Sequence, residues 1–418
     1  MTATGKKRIV LLSCNDLLGG AAIVTYRLMQ ALHDLGHDAD MLVTNKLGDD
    51  PHVHQLGTAA ARKWRFIEER LGIFMRNGLN RRDLFKVSTA STGMNIHNHP
   101  LVRQADAIFV NWVNQGTVSL NEMRRLCAMG KPVVWTMHDM WNMTGICHHA
   151  YGCTGFHDSC GNCKYLGHKA SATDLSHAVW LRKKALYDSS EIRFVAVSNW
   201  VKQCASRSSL LRDKEVTVIH NAFPAEQFPV GSGGSSMSTD DDKGPRHVIA
   251  FGAAKLDDPV KGIRYAIDAL NILADQSPQL ADKSIAIFFG RLDNTALLSD
   301  LRFPHKAVGS ITDKADLQKL MGQTDVILST SLYETLGGTL IEGMSAGATP
   351  VSFGEGGQVD IIDHKSTGYI ARYLDPVDVA EGIRWAIATR LDRNRQHKVV
   401  SDRFNARDIA LKYLSLIS

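Results

Sequence analysis

At 418 residues the chain has room for two domains, and its 44% hydrophobic and 22% charged content is that of an ordinary soluble globular protein. A net charge of +5 is too weak a bias for a nucleic-acid binder, but it suits anionic ligands or an anionic membrane surface. No apolar run approaches the ~20 residues needed to span a bilayer. Ile9 to Cys14 is also too short for a signal-peptide core, so a cytoplasmic protein with its seven cysteines reduced is expected.

Arg8 to Cys14 (RIVLLSC) reads as a buried strand, Asn15 to Gly20 as a loop ending in Gly19-Gly20, and Ala21 to Leu35 as a helix. Ala39 to Val43 follows as a second strand, giving a βαβ opening without the G-x-G-x-x-G dinucleotide fingerprint. Ala59 to Lys86 is basic, with Arg62, Lys63, Arg65, Arg70, Arg76, Arg81, Arg82 and Lys86 interleaved with Trp64, Phe66, Ile67, Leu71, Ile73, Phe74, Met75 and Leu79. Such a helix either lies on an anionic membrane or packs on its own domain with the basic residues facing water; the second arrangement is expected.

Ala107 to Val110 and Val133 to Met137 read as strands flanking a helix from Ser119 to Met129, and His138-Asp139 stands at the carboxyl end of the latter strand, a ligand-facing position. Cys147, Cys153, Cys160 and Cys163 then cluster, with His148, His149, His157 and His168 nearby. Thiolates at this density suit a tetrahedral structural zinc; an iron–sulfur cluster and a loop of reduced thiols are the other readings. The cluster leaves no open coordination position and is given no catalytic role. Asp174 to Tyr187 reads as a helix, Arg193 to Val197 and Val216 to Ile219 as strands, and Ser198 as a helix cap. Gly231 to Gly244 (GSGGSSMSTDDDKG) reads as a flexible linker.

Beyond it, His247 to Phe251 reads as a strand and a helix starts near Gly262, with Lys255 and Lys261 on the loop around that start. Ser284 to Gly290 and Ala307 to Gly309 are expected strands, and Thr312 to Gly322 a helix. Val326 to Thr330 is a buried parallel strand, Ser331 to Gly338 a polar loop, and Thr339 to Ala346 a helix closed by Gly347, with Glu342 in its first turn. Gly337 and Gly338 let the backbone approach a ligand, and the helix start favours an anion such as a phosphate. Glu334 and Glu342 flank that turn, an arrangement suited to a ligand with hydroxyls on both sides of a phosphate group, as in a nucleotide sugar. Thr349 to Phe353 is the next strand, Gly354 to Gly357 (GEGG) a loop, Pro376 to Thr389 a helix and Arg403 to Leu416 a final helix.

The string E-T-L-G-G-T-L-I-E at Glu334 to Glu342 resembles the donor-site signature of the family 4 retaining glycosyltransferases, and the segment from His138 to Cys163 resembles a subgroup that makes capsular and colanic-acid-type polysaccharides. The resemblance implies a GT-B fold, α/β throughout: two doubly wound Rossmann-like domains facing across a cleft. An acceptor-side domain would span 1–230, with a Cys-rich insertion at 147–163 and completed by a C-terminal helix at 403–418; 231–245 would be the linker and 246–402 the donor domain. It further implies that His138, Glu334 and Lys261 are catalytic, and that Lys255, Lys261, Glu334, Leu336, Gly337, Gly338, Thr339 and Glu342 bind the donor. Gly19-Gly20 would form an acceptor-side loop, and Lys255 stands where the family has arginine, keeping the charge but losing the planar fork. The implied partners are a nucleotide sugar and a glycan or lipid-linked acceptor, with peripheral contact to the inner face of the cytoplasmic membrane, no nucleic acid, and no cofactor required for catalysis; the candidate zinc would be structural. A sugar-nucleotide epimerase on the same fold and a non-catalytic zinc-bearing assembly protein are the competing readings.

Overall fold

The computed structural model describes residues 5–234 and 247–418, so most of the expected linker lies outside the described residues. The chain divides into two compact units, Met1–Ala222 with Ala406–Ser418, and Phe223–Asn405.

The first unit is built on strands β1 (Arg8–Asn15), β2 (Asp38–Asn45), β3 (Val53–Gln55), β4 (Ala107–Val110), β5 (Val133–Met137), β6 (Arg193–Ala196) and β7 (Val216–Val218). They form one sheet in the order β3-β2-β1-β4-β5-β6-β7, with every pair parallel. Consecutive residues Ile9 to Leu12 are all buried, as a parallel strand covered on both faces requires. The Gly20–Asp34 helix and the terminal Ala406–Ser415 helix share the core under this sheet, where Leu28, Leu32, Ile409 and Tyr413 pack with Phe109 and Val134. Tyr413 also ties its hydroxyl to Thr136 Oγ1 at 2.9 Å.

The second unit repeats the plan with β8 (His247–Lys255), β9 (Ser284–Arg291), β10 (His305–Gly309), β11 (Val326–Ser329), β12 (Thr349–Phe353) and β13 (Tyr369–Ala371), all parallel in the order β10-β9-β8-β11-β12-β13. Chain order reverses at β1/β4 in one sheet and at β8/β11 in the other. Ligands of open α/β sheets bind outside the carboxyl ends of the strands at such switch points.

Four expectations need correction. The basic segment 59–86 is helical only over Ala59–Arg76; Asn77 and Gly78 (φ +74) end it. Most of its basic residues face water as expected, but Arg70 does not, and part of the apolar set faces outward. Trp64, Leu71 and Met75 are 62%, 50% and 59% exposed, whereas Glu69 and Arg70 are buried. The inward pair meets specific partners: Glu69 Oε1 accepts from the backbone N–H groups of Thr89 and Ala90, and Arg70 donates to the carbonyls of Leu84 and Val87 and to Ser88 Oγ. The final helix, expected over Arg403–Leu416, runs Ala406–Ser415; Arg403 instead closes a preceding helix, Arg393–Arg403, and between them Phe404 is fully buried with its carbonyl accepting from Phe223 N–H at 3.0 Å. Finally, the helix after Glu334 runs Gly338–Ser345, starting one residue early, so Glu342 falls just past its first turn.

Candidate active site

In the second unit, the loop after β8 and the loop after β11 are stitched together at the switch point. Leu332 N–H donates to Val260 O at 2.7 Å, and Thr330 Oγ1 donates to Gly262 O at 2.9 Å. Gly262 sits at φ +62, and a Cβ there would stand 2.1 Å from Thr330 O, so the approach admits only glycine. This junction brings Lys261 to Glu334, 73 residues away: Nζ to Oε2 is 2.8 Å. The Glu334 carboxylate raises the Lys261 ammonium above its ordinary value, against the opposing effect of burial.

Glu334 leads into the turn at Gly337 (φ +104), which caps the Gly338–Ser345 helix without any side-chain hydrogen bond. A Cβ on Gly337 would lie 3.6 Å from Glu334 Cγ, while beside Gly338 nothing stands within 4 Å. The helix start, with its N–H groups and positive dipole end, therefore opens beside the Lys261–Glu334 pair. Leu336 is buried and anchors the turn; Thr339 is half-buried on the first turn. The GEGG loop supports this turn from behind: Gly357 N–H donates to Glu334 O at 2.8 Å, and buried Gln358 donates to Ser331 O. Sequence reading missed that role, since nothing in a glycine-rich loop names the carbonyl it will meet. Lys255 ends β8 instead of standing on the loop, and its ammonium is raised by hydrogen bonding to Asp293 at 2.9 Å, with Asp257 at 3.8 Å. With two carboxylates around it, Lys255 offers less to an incoming anion than Lys261.

In the first unit, His138 follows β5 and faces Asn111 at the end of β4, Nε2 to Oδ1 2.9 Å. Burial lowers the His138 imidazole to about 4, so the ring is neutral at ordinary pH. Asp139 beside it accepts from Trp112 Nε1 and His148 Nδ1, both at 2.7 Å, and from Trp141 N–H. Burial alone would raise this carboxyl, but His148 and these hydrogen bonds bring it down to about 2. His148 Nε2 in turn meets Ser88 Oγ at 3.0 Å, which joins the turn to Arg70 on the Ala59–Arg76 helix. Gly19 (φ +91) caps the Gly20–Asp34 helix without a side chain, and the loop before it is fixed by Asp16, whose carboxylate accepts from the N–H groups of Leu47 and Gly48. A cavity of about 410 Å³ opens nearby, lined by Thr44, Asn45, Arg62, Lys63, Phe66 and Gln115. A larger one, about 580 Å³, lies at the amino ends of β5 and β6, the edge away from the switch point.

Cys147, Cys153, Cys160 and Cys163 are free thiols, and among the described residues no three His, Cys, Asp or Glu side chains gather in a metal-holding group. Burial pushes Cys147 and Cys163 up to about 12 and Cys160 to about 11. The loop is ordered by hydrogen bonds: Gly145 N–H to Cys160 Sγ, Cys163 N–H to Asp174, and buried Lys183 Nζ to the carbonyls of Trp141 and Thr144.

Residues 18–227 match the family model described as Glycosyltransferase Family 4, and residues 245–401 match that described as Glycosyl transferases group 1. The chain belongs to glycosyltransferase family 4. Solved structures agree in fold. Sucrose-phosphate synthase from Thermosynechococcus elongatus is 16% identical with TM-score 0.64, each chain covered to 98%. Anabaena HepE, solved in complex with UDP and glucose, is 15% identical with TM-score 0.61 and the same coverage. WaaG, a glycosyltransferase involved in lipopolysaccharide biosynthesis, is 11% identical with TM-score 0.57, covering 98% of this chain and 99% of its own. No curated protein matches the sequence. The fold of this family 4 member is thus GT-B, and the chain is a glycosyltransferase, which sets aside the epimerase and assembly-protein readings. Among the described residues no helix is long and apolar enough to cross a membrane.

Proposed function

We propose that the protein is a retaining hexosyltransferase that moves sugar from a nucleotide-sugar donor to a glycan or lipid-linked acceptor in cell-surface polysaccharide biosynthesis. The observation that carries this reading is the Lys261–Glu334 pair set beside the open Gly337–Gly338 helix start at the β8/β11 switch point. A diphosphate fits there: the N–H groups of Gly338 and Thr339 donate to its oxygens, and Lys261 neutralises it. As the glycosidic bond breaks, charge grows on the leaving phosphate, and a cation and helix end already fixed in place stabilise that charge without reorganising. Glu334, Leu336 and Glu342 hold the sugar side and the ribose, and Lys255 contributes charge from further off. His138 serves substrate as a neutral hydrogen-bonding ring, and Gly19-Gly20 line the acceptor side. The solved HepE complex with UDP and glucose supports a nucleotide-sugar donor.

The Ala59–Arg76 helix supports an anionic membrane surface as the place of work. Its outward apolar stripe, Trp64, Ile67, Leu71 and Met75, is flanked by exposed Lys63, Arg76, Arg81 and Arg82. Each basic residue near an anionic bilayer contributes ~1 kcal/mol. The four-cysteine loop enters the proposal as a structural element only; one equivalent of zinc released on titrating the thiols would assign it the metal. The donor reading is tested by thermal shift and nucleotide release with UDP-, GDP-, ADP- and dTDP-sugars. One class should both stabilise the protein and turn over; stabilisation by none of them overturns the reading.

A further inference from the structure

Three asparagine side chains converge where β4 and β5 end. Asn111 follows β4, Asn114 lies three residues on, and Asn142 sits in the short 3₁₀ turn Trp141–Met143 after β5. They are 3%, 4% and 4% exposed, and together with His138, Asp139, Trp112 and Trp141 they line one small cavity. Each carries one buried polar atom with no hydrogen-bond partner among the described residues: Asn111 Nδ2, Asn114 Oδ1 and Asn142 Nδ2. An unpaired buried amide atom costs about 1–3 kcal/mol, and three around one cavity is more than chance placement explains.

The chemistry of the three atoms is complementary to one molecule. Two are N–H donors and one is a carbonyl acceptor. A water molecule accepts two hydrogen bonds and donates two, so it satisfies all three with one proton left over. The room matches as well. The cavity has ≈ 10 Å³ open to the centre of a water-sized sphere. About that much volume, with two to four polar partners, is what a buried water needs, and a sugar ring is excluded.

We propose that this cavity is a binding site for a single ordered water, which completes the hydrogen bonding of Asn111, and that Asn111 is the positioning residue of His138. The link is the Asn111 amide. With its Nδ2 donating to the water, its Oδ1 is turned to His138 Nε2, 2.9 Å away. An acceptor at that distance requires the proton on Nε2, which leaves the lone pair on Nδ1. The water completes the buried hydrogen bonding, the amide in this orientation selects the tautomer, and the tautomer decides which ring atom accepts a hydrogen bond from substrate. Only the last step rests on the role proposed for His138; water and tautomer stand without it.

Two measurements, neither reading turnover, test this. A crystal structure of the unmodified protein should show an ordered oxygen within hydrogen-bonding distance of all three atoms; an apolar void or flipped amides there overturn the site. Long-range ¹H–¹⁵N spectra of ¹⁵N-histidine protein should show His138 as the Nε2–H tautomer near neutral pH. In Asn111→Ala, which removes the acceptor facing Nε2, that tautomer should give way to a mixture. A Nδ1–H ring in the parent, or an unchanged ring in the variant, overturns the positioning role. Should Asn111→Ala fail to fold, Asn111→Ser reads the same contact. Failure of the donor screen would leave both results intact.

Discussion

Replacing Lys261 by Met separates holding the fold from holding the donor. The ammonium touches Glu334 at 2.8 Å with the two side chains 31% and 20% exposed. At an effective dielectric of about 20 a unit pair near 4 Å interacts by about 4 kcal/mol. Solvent access and side-chain entropy reduce the net stabilisation of such a pair to ~1 kcal/mol. Lys261→Met should therefore lower Tm by only about 2–4 °C. Transfer should fall much further, by ~10²–10³ in kcat, because the cation proposed to face the leaving phosphate is gone. The assay is nucleotide diphosphate release under saturating donor, with calorimetric affinity for the free diphosphate measured alongside. Glu334→Gln and the double variant complete a cycle: the stability losses should couple, since each partner loses the same contact. The folded lysine is raised above its unfolded value, so the pair's contribution is complete below the unfolded pKa and is lost as pH climbs through the folded one, in the alkaline range. A Lys261→Met enzyme within about threefold of the parent in kcat/KM refutes the diphosphate assignment. A Tm collapse matching the activity loss would instead make the pair structural.

Burial holds His138 at about 4 in the folded chain, against about 6.5 unfolded, so the unfolded state takes up the proton first; stability is lost as pH falls from about 6.5 to 4, by up to ~3 kcal/mol. Urea denaturation of His138→Gln should show a shallower acid loss than the parent, and parallel curves would contradict the assignment. Gly262→Ala forces a Cβ against Thr330 O at φ +62 and should cost more than about 2 kcal/mol by urea unfolding; a loss under ~0.5 would mean the junction yields easily. Arg70→Met leaves Glu69 buried beside no cation and should cost ~3–5 kcal/mol, partly restored by adding Glu69→Gln; a loss under ~1 would mean the pair is dispensable. Leu71→Glu, on the outward face, should leave Tm unchanged but abolish co-sedimentation with anionic vesicles at low salt, and full retention would remove the membrane from the proposal.

Much of the fold was legible. Runs such as Ile9 to Leu12 and Val326 to Leu328 are apolar at every position, which only a strand buried on both faces tolerates. Caps fixed several helix starts: Ser119, Asp174 and Ser198 each accept N–H groups of the following turn, and the Pro376–Thr389 helix opens on proline behind Asp375. The turn from Glu334 into the Gly338–Ser345 helix was legible too, because Glu334, Gly337 and Gly338 are neighbours in sequence and local backbone geometry places them.

The sequence by itself thus determined the two parallel sheets and the glycine turn, since period, caps and glycine positions act over a few residues. Tertiary structure decided what depends on a distant partner. Periodicity finds the apolar stripe of the Ala59–Arg76 helix but is blind to whether it faces in or out; that was settled by Glu69 and Arg70 meeting backbone groups of residues 84–90. Lys261 reaches Glu334, and Asn111 and Asn114 line one cavity with Asn142, only after crossovers return each chain segment to its sheet edge. A hydrogen bond depends on ångström proximity, and that proximity is created by packing.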